Sequence, residues 1–466
     1  MDTTRKLANF ITETSYPQIP QEATSIAKDA ILDLIGVTLA GVKTPTSRIM
    51  AEYVREMGGN PVSRVIGWGF KTSPHFAALA NGTTGHALDY DDGAPLFLFH
   101  PTVTLLPSIL ALGEAREVSG KQVLEAYLIG FEVEVKLLSS LGLSAQLRGW
   151  HNTGIVGALG AAVAAAKILL LNSEQTVRAL GIAASEASGM KQNFGTMTKP
   201  LHAGLASRNG VMAAMLAEKG FTASETVLEH PTGYYAALAG EGNYDLKKIE
   251  SLGNPFSITE PPGVLRLKPY PSCGETHCCL DAVLYLIKEH NISAEDVAEV
   301  ECRTSEVVPM MLIYSRPQSG LQAKFSMEYC MAVALLDGRA GLAQFTEERL
   351  QDARLQPLME KVKYALPEDI RGVEGLVNYD TEDGKETITE AVTVRLRDGR
   401  EYFKESPRTQ GVPGSPMSRD DLLAKYRECA SLALPLENIE RTIELISALE
   451  NLDNITELLD LVNSTR

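Results

Sequence analysis

The chain has 466 residues, and its 44% apolar and 22% charged residues are typical of a globular protein of about two or three domains. Its formal net charge of −16 argues against a nucleic-acid-binding surface, because such a surface needs a clustered basic face. The negative charge does not exclude an anionic substrate. A few cations in a closed pocket outweigh distant surface carboxylates, whose fields are screened by salt.

The N-terminal sequence and the cysteines bear on the compartment of the protein. The N-terminal sequence Met1-Asp2-Thr3-Thr4-Arg5-Lys6 lacks the apolar segment of a signal peptide, so we expect a cytoplasmic protein. The small and apolar stretch 154–171 is interrupted by Lys167, and it predicts a buried helix in close helix contact instead of a membrane span. Six cysteines in such a chain predict free thiols.

The first half of the chain has a helical pattern from residue 3 to about residue 250. Apolar residues at three- and four-residue spacing predict one helix that ends at Gly41. Ser119-Gly120 marks the start of a helix that runs to Leu141, and Ser173 marks the start of another that runs to about Ser188. Two-residue alternation is not convincing in this half, so we predict an all-α domain.

The pattern changes near residue 255, where prolines and glycines interrupt the chain. The clearest feature that follows is a hairpin around the turn dipeptide Asp398-Gly399. A further alternating segment places Arg266 and Lys268 on one strand face. The predicted elements are strands at 264–268, 297–303, 391–396 and 401–403 and helices at 279–290 and 324–336.

These patterns define a domain organisation. Residues 411–416 contain glycine and proline and predict a linker, and Ser418 caps a return to helix through the C-terminus. We therefore predict a mainly α fold. A large all-α helical domain is formed by both chain ends, residues 1–264 and 406–466, and a smaller α+β domain, residues 265–405, is inserted between them.

The densest group of titratable residues is the sequence Gly85-His86-Ala87-Leu88-Asp89-Tyr90-Asp91-Asp92-Gly93-Ala94-Pro95, followed by His100-Pro101-Thr102. It combines imidazoles with carboxylates, and a proton-transfer site needs such groups held close together on a fixed backbone. The alternative is a solvated acidic turn with one aspartate that caps a helix. The segment alone leaves both interpretations open.

Three further histidines lie in polar, glycine-containing segments near predicted helix starts. His151 precedes a helix whose N-terminal N–H groups favour negative charge, and His277 ends a proline-stiffened loop. His202 follows a loop that contains Lys199, a candidate clamp for a substrate carboxylate. Each histidine alone could be a structural residue, and Lys199 alone could be a solvated loop lysine.

Cofactor motifs are missing from the sequence. The segment Asn81-Gly82-Thr83-Thr84-Gly85 lacks the strand and third glycine of a dinucleotide-binding turn, and no G-x-S-x-G nucleophile elbow occurs. Adjacent Cys278-Cys279 cannot easily chelate one ion, so residues 273–279 do not predict a metal site. Lys268 adds a cation, and Tyr314 adds a phenol that could also simply pack. This inventory suits proton abstraction next to a carboxylate.

Several of these segments resemble the MmgE/PrpD family, which includes 2-methylcitrate dehydratase, cis-aconitate decarboxylase and iminodisuccinate epimerase. The resemblance covers nearly the whole chain. It rests on Gly85-His86-Ala87-Leu88-Asp89-Tyr90-Asp91-Asp92 with His100-Pro101, on Gly149-Trp150-His151, on Phe194-Gly195-Thr196-Met197-Thr198-Lys199-Pro200-Leu201-His202, and on Gly414-Ser415-Pro416-Met417-Ser418 with Lys425-Tyr426.

The resemblance implies a helical domain and an α+β lid with the active site between them, a homodimer, and no metal or organic cofactor. It places in the pocket Asp89, His100, His151, Lys199, His277, Tyr314 and Lys268. We predict catalytic roles for Asp89, His100, His151, His277 and Tyr314 and substrate-binding roles for Lys199, Lys268 and His202. One position departs from the family. Similar decarboxylases have threonine where this chain has Gly93, which implies a lost hydrogen-bond donor and a more apolar pocket.

We therefore predict a cofactor-independent lyase for a small di- or tricarboxylate, with no nucleic-acid or membrane partner. The reaction is dehydration of a methylcitrate-like acid or decarboxylation of an aconitate-like acid. Epimerisation of an iminodisuccinate-like dicarboxylate is an alternative, because it needs the same α-proton removal. An inactive dimeric scaffold is a further alternative, although the presence of Asp89, His100, His151 and Lys199 argues against it.

Overall fold

The computed structural model describes residues 2–94, 98–260, 264–366, 390–406 and 417–463. It is 61% helical and 9% strand, which confirms the mainly α prediction. The chain divides into two compact units. The helical unit contains Met1–Asn193, Met197–Leu267 and Ser418–Arg466, and the α+β unit contains Phe194–Thr196 and Lys268–Met417. The predicted linker at 411–416 lies outside the described residues.

The N-terminal part of the helical unit is a series of helices with one small hairpin. The elements are α1 (Thr3–Glu13), α2 (Gln21–Gly41), α3 (Pro45–Met57), β1 (Ser63–Val65), β2 (Phe70–Thr72), α4 (Pro74–His86), α5 (Thr102–Arg116), α6 (Gly120–Leu141), α7 (Ser144–Leu147), α8 (Asn152–Ile168), α9 (Ser173–Glu186), α10 (Thr198–Glu218) and α11 (Tyr234–Ala239).

The α+β unit follows, and the chain then returns to helices. The α+β elements are α12 (His277–His290), β3 (Val297–Arg303), α13 (Val307–Met311), α14 (Gly320–Ala323), α15 (Met327–Asp337), α16 (Glu347–Leu350), α17 (Leu355–Met359), β4 (Val362–Ala365), β5 (Glu390–Leu396) and β6 (Glu401–Ser406). The C-terminal helices of the helical unit are α18 (Arg419–Ser431), α19 (Leu436–Ser447) and α20 (Thr456–Val462).

Several predicted helix ends are confirmed by their capping contacts. Ser119 caps α6 in a capping box with Gln122, and the Ser418 hydroxyl accepts the N–H of Asp421 at the start of α18. All six cysteines are free thiols, as their number and context predict. No helix among the described residues is long and apolar enough to cross a bilayer.

Close packing around α10 fixes the centre of the helical unit. A Cβ added at Gly204 of α10 would lie 2.4 Å from the carbonyl oxygen of Leu79 on α4. A Cβ added at Gly210 would lie 2.4 Å from the Cβ of Ala161 on α8. These positions need glycine because the helix backbones approach each other directly. Helix α10 is therefore held against both α4 and α8.

The α+β unit contains a four-stranded sheet in the order β4-β3-β5-β6. Strand β3 pairs parallel with β4 and antiparallel with β5, and β5 pairs antiparallel with β6. Gly399 has a φ of 89° in the turn between β5 and β6, which confirms the predicted hairpin. The predicted strand at 297–303 is confirmed as β3, and the predicted helices correspond to α12 and α15.

Two local predictions need correction. The segment 264–268 is not a strand, because Arg266 alone forms an isolated bridge, in which its N–H donates to the Gly93 carbonyl at 2.7 Å. Arg266 belongs to the helical unit and Lys268 to the α+β unit, so the predicted shared strand face is wrong. The helical unit also contains the β1–β2 hairpin, whose three-residue strands are too short to produce a visible alternation.

Candidate active site

The segment after α4 is buried, although its sequence is acidic. Helix α4 ends at His86, and the chain then turns through Asp89, whose φ is 51°. Aspartate tolerates this left-handed conformation better than most residues. Asp91 and Asp92 are both 0% exposed. The alternative of a solvated acidic turn is therefore wrong.

A continuous chain of polar contacts connects this segment with α10. The Nδ1 of His86 lies 2.8 Å from the Asp91 carboxylate, and its Nε2 lies 3.0 Å from the Nζ of Lys199. The Lys199 ammonium also donates to Oδ1 of Asp89 at 2.7 Å. All four side chains are buried. The sequence pattern predicts a loop at Lys199, but this prediction is wrong, because Lys199 lies in the first turn of α10.

The protonation of this chain follows from its donors and acceptors. Burial lowers the pKa of His86 to about 4, so its imidazole is neutral at pH 7. Burial opposes ionisation of Asp91, but His86 and His100 together lower the pKa of this carboxyl below its usual range. A carboxylate accepts hydrogen bonds, so Nδ1–H of His86 donates to Asp91. The other nitrogen, Nε2, then accepts from Lys199.

His100 lies next to Asp89, with its Nε2 nitrogen nearest to that carboxylate. Its Nδ1–H donates to the Asp92 carbonyl oxygen at 2.7 Å, so Nε2 is the ring nitrogen that carries the lone pair when the ring is neutral. That Nε2 lies 3.8 Å from Oδ1 of Asp89. The rings of His86 and His100 have centroids 4.5 Å apart. Nε2 of His100 therefore lies on the side of the ring next to Asp89.

A second pair of imidazoles, those of His151 and His202, lies at the start of α8. His151 is the N-cap residue of α8, and its backbone N–H donates to the Gly189 carbonyl at 3.0 Å. Its Nδ1 lies 3.0 Å from Nδ1 of His202, which is part of α10 and not of a loop. Burial, with Lys199 nearby, lowers the pKa of both rings, to about 4 for His202. Both rings are neutral at pH 7.

Buried hydrogen bonds hold the segment between Asp89 and His100. The Asp92 carboxyl accepts from the hydroxyl of Thr102 at the start of α5, and that hydroxyl lies 2.7 Å from the hydroxyl of Tyr127. Burial raises the pKa of Asp92 well above its usual range. From α18, Lys425 donates to the Tyr90 carbonyl at 2.9 Å and pairs with Asp33 at 2.7 Å.

The remaining predicted site residues belong to the α+β unit. Lys268 and His277 are both buried, and both donate to the Ser272 carbonyl, from Nζ at 3.1 Å and from Nε2 at 3.2 Å. The hydroxyl of Tyr314 donates to the Phe194 carbonyl at 2.8 Å. The structure brings Lys268 and His277 together at one carbonyl, whereas Tyr314 contacts a different segment.

One group of side chains in the described residues is arranged as metal ligands would be. His86, Asp89, Asp91 and His100 each offer one ligand atom, and these atoms lie within 4.8 Å of one another. The ammonium of Lys199 already lies beside Asp89 and His86 and supplies a positive charge there. A divalent ion would have to compete with this ammonium.

The buried contacts form a cluster of His86, Asp89, Asp91, His100 and Lys199. Two of its members, His86 and Asp91, are part of the acidic segment but have no predicted role from the sequence. Their contact depends on the turn at Asp89, which brings a helix-terminal imidazole onto a carboxylate five residues later. The signal available in the sequence was their position beside the predicted Asp89 and His100.

Comparisons with known proteins show the family of this chain. The MmgE/PrpD N-terminal domain matches residues 5–247, and the MmgE/PrpD C-terminal domain matches residues 270–451. The chain is 30% identical over 450 residues to cis-aconitate decarboxylase of Homo sapiens. The aligned region covers 94% of this chain and 89% of that protein.

Two further relatives are similar over most of their length. Cis-aconitate decarboxylase of Aspergillus terreus is 28% identical over 482 residues, with 99% of this chain and 96% of that protein covered. The 2-methylcitrate dehydratase of Salmonella typhimurium is 24% identical over 492 residues, with 96% and 94% covered. The chain belongs to the MmgE/PrpD family.

Proposed function

We propose that this chain is a cofactor-independent lyase that acts on a small di- or tricarboxylate. The reaction is 2-methylcitrate-type dehydration or cis-aconitate-type decarboxylation, the activities after which its relatives are named. The observation that carries the proposal is the contact of one buried lysine, Lys199, with both Asp89 and His86 in a cluster of neutral imidazoles. This arrangement combines a fixed cation with groups that can take and give protons.

In the proposed mechanism Lys199 binds a carboxylate of the substrate. When the α-proton leaves, negative charge spreads onto that carboxylate, and the ammonium stabilises it. Asp89 and His86 hold the ammonium in place. Because Nδ1 of His100 is engaged by the Asp92 carbonyl, Nε2 of His100 receives the α-proton in a dehydration.

His151 serves as the acid of the reaction. In a dehydration the C–H and C–O bonds break, and the hydroxyl leaves as water with a proton from His151. In a decarboxylation the C–C bond breaks, carbon dioxide leaves, and the electron pair that stays on the carbon is protonated by His151. Neither reaction needs an oxidant or a reductant. Catalytic roles for His277 and Tyr314, and substrate-binding roles for Lys268 and His202, remain part of the proposal.

Epimerisation is the second candidate function. It needs two bases and no leaving group. His100 and His151 each have their own hydrogen-bond partner, the Asp92 carbonyl and the His202 ring, and such a pair of independently held imidazoles suits this reaction as well. An inactive scaffold has no use for these buried polar contacts.

We further propose that the protein is a cytoplasmic homodimer. Helix α3 exposes apolar side chains on successive turns, with Ile49 52%, Tyr53 45% and Met57 49% exposed. Apolar side chains grouped on one surface support an interaction site. The free thiols support a reducing compartment.

Proton NMR of the purified, EDTA-treated protein tests the function. The protein is incubated with cis-aconitate, 2-methylcitrate, citrate and iminodisuccinate in separate samples, and Lys199→Met serves as the inactive control. We expect one substrate to lose water or carbon dioxide. Deuterium exchange at the α-carbon without elimination would support epimerisation. Activity abolished by EDTA and restored by one divalent ion, or no reaction with any substrate, would contradict the proposal.

A further inference from the structure

His151 and His202 contact each other through their two Nδ1 atoms. Their Nδ1 atoms lie 3.0 Å apart, and the ring planes are inclined by 56°. Gly189 lies against both residues, since a Cβ added there would be 3.3 Å from Nδ1 of His202 and 3.5 Å from Cβ of His151. Gly189 also accepts the backbone N–H of His151. Both rings are buried, so the pair is held in one arrangement.

This geometry constrains the protons of the pair. A hydrogen bond between two Nδ1 atoms needs one donor and one acceptor, so one ring is the Nδ1–H tautomer and the other is the Nε2–H tautomer. Lys199 faces both rings, and His86 and His100 face His151, so no acidic side chain among these neighbours favours a charged pair. The two rings therefore share one hydrogen-bonding proton as neutral groups.

A neutral His151 cannot act as an acid alone, because loss of its proton would leave an imidazolate. His202 removes this difficulty. We propose that His151 and His202 form a two-ring proton relay, in which a proton taken from water at Nε2 of His202 is matched by one released to the substrate at Nε2 of His151. This inference rests on the proposed lyase function, and it assigns His202 a role in positioning and relay beside the proposed substrate binding.

The relay step is balanced in atoms and charge. At the start His202 carries Nδ1–H and His151 carries Nε2–H. The Nε2–H bond of His151 breaks as its proton goes to the leaving group or carbon, the proton of His202 moves from its Nδ1 to Nδ1 of His151, and water protonates Nε2 of His202. Both rings end neutral with their tautomers exchanged. The hydroxide left by this water takes the α-proton from His100 in a dehydration and combines with the released carbon dioxide as bicarbonate in a decarboxylation. The starting state returns when solvent protonates Nε2 of His151 and removes the proton from Nε2 of His202, while the shared proton moves back to Nδ1 of His202.

A pair of variants at His202 tests the relay. Asparagine can hydrogen-bond to Nδ1 of His151 but cannot exchange tautomers, whereas phenylalanine does neither. For a relay we expect both His202→Asn and His202→Phe to lower kcat by about 10²-fold, with little change in KM. The wild type should show a curved dependence of kcat on the deuterium fraction of the solvent, and His202→Asn a linear one. Near-native kcat in His202→Asn would overturn the relay.

The matched control is His230→Asn, which makes the same change at an exposed histidine whose Nδ1 bonds only locally to Thr232. It should keep the wild-type kcat.

A second measurement does not depend on turnover. In the substrate-free protein labelled with ¹⁵N-histidine, the resonances of His151 and His202, assigned with the two asparagine variants His151→Asn and His202→Asn, should show one Nδ1–H ring and one Nε2–H ring at pH 7. Two rings of the same tautomer, or a charged ring, would overturn the relay. If no substrate is turned over, the proposed lyase function fails, and this spectrum still decides whether the proton-sharing pair exists.

Discussion

Lys199 shows how one residue combines structure and chemistry. Its ammonium lies in a buried site between a carboxylate and an imidazole, and its contacts to Asp89 and His86 replace the water that a lysine normally binds. Removal of the cation leaves the Asp89 carboxylate buried beside neutral groups. A substitution at Lys199 therefore affects both substrate binding and the folded protein.

For Lys199→Met we expect a higher KM and a kcat lower by about 10²-fold or more, because the fixed positive charge next to the developing carboxylate charge is lost. The free energy of unfolding should fall by about 3–5 kcal/mol. Lys199→Arg should recover binding only partly, since its charge is spread over a larger planar group. Steady-state kinetics and urea unfolding measure these effects. An unchanged KM in Lys199→Met, or a borohydride-trapped adduct on Lys199, would contradict this role.

The low pKa of His86 predicts that the free energy of unfolding depends on pH. Its pKa is about 4 in the folded protein and 6.5 in an unfolded chain, so between these values the unfolded state binds the extra proton. Falling pH in this window therefore favours unfolding. We expect the stability difference between wild type and His86→Gln to fall by roughly 3 kcal/mol from pH 6.5 to pH 4. Urea unfolding of both proteins at several pH values measures it, and parallel stability curves would contradict it.

At the scale of elements, α10 organises the helical unit around the site. It carries Lys199 and His202 on adjacent turns, and its glycines allow close contact with α4, which ends at His86, and with α8, which begins after His151. Lys199, His202, His86 and His151 thus lie on or next to three helices, whose spacing depends on the absence of side chains at the contact.

Gly204→Ala tests this dependence. The added methyl group would lie 2.1 Å from Oγ1 of Thr83 and 2.4 Å from the Leu79 carbonyl, so α10 must move. We expect a loss of about 1–3 kcal/mol in the free energy of unfolding and a lower kcat. Gly341→Ala is the control, because the nearest atom to its added methyl group is a flexible side-chain oxygen at 3.5 Å. Differential scanning calorimetry that gives equal melting temperatures for both variants would contradict this account.

Sequence patterns predict those elements whose structure depends on neighbouring residues. The α6 cap at Ser119 and the turn at Asp398-Gly399 depend on neighbouring residues, and both were predicted. The predicted strand at Arg266 is wrong, because Arg266 forms an isolated backbone bridge with Gly93, which is distant in sequence. The contact of His86 with Asp91 was also out of reach, because it depends on how the chain turns at Asp89. Residue type and local context predict His100, His151 and Lys199 as candidate site residues. The contacts of their nitrogens depend on the fold, and Lys199 lies on α10 and not in the predicted loop.

For the whole molecule the main prediction concerns association. If the exposed face of α3 forms the proposed dimer interface, Tyr53→Asp should shift the protein from dimer to monomer, because a charge is then buried without a partner. Glu52→Gln, at an exposed neighbour on the same helix, should remain dimeric. Sedimentation velocity measures both. A monomeric wild type, or a fully dimeric Tyr53→Asp, would contradict the interface.

The hydrogen bond from Lys425 to Tyr90 joins residues 335 positions apart. During synthesis on the ribosome, the segment that carries Asp89 emerges more than 300 residues before its lysine support. The buried turn around Tyr90 therefore cannot reach its final support until α18 has been made. Nascent chains that stop before α18 should lack this contact.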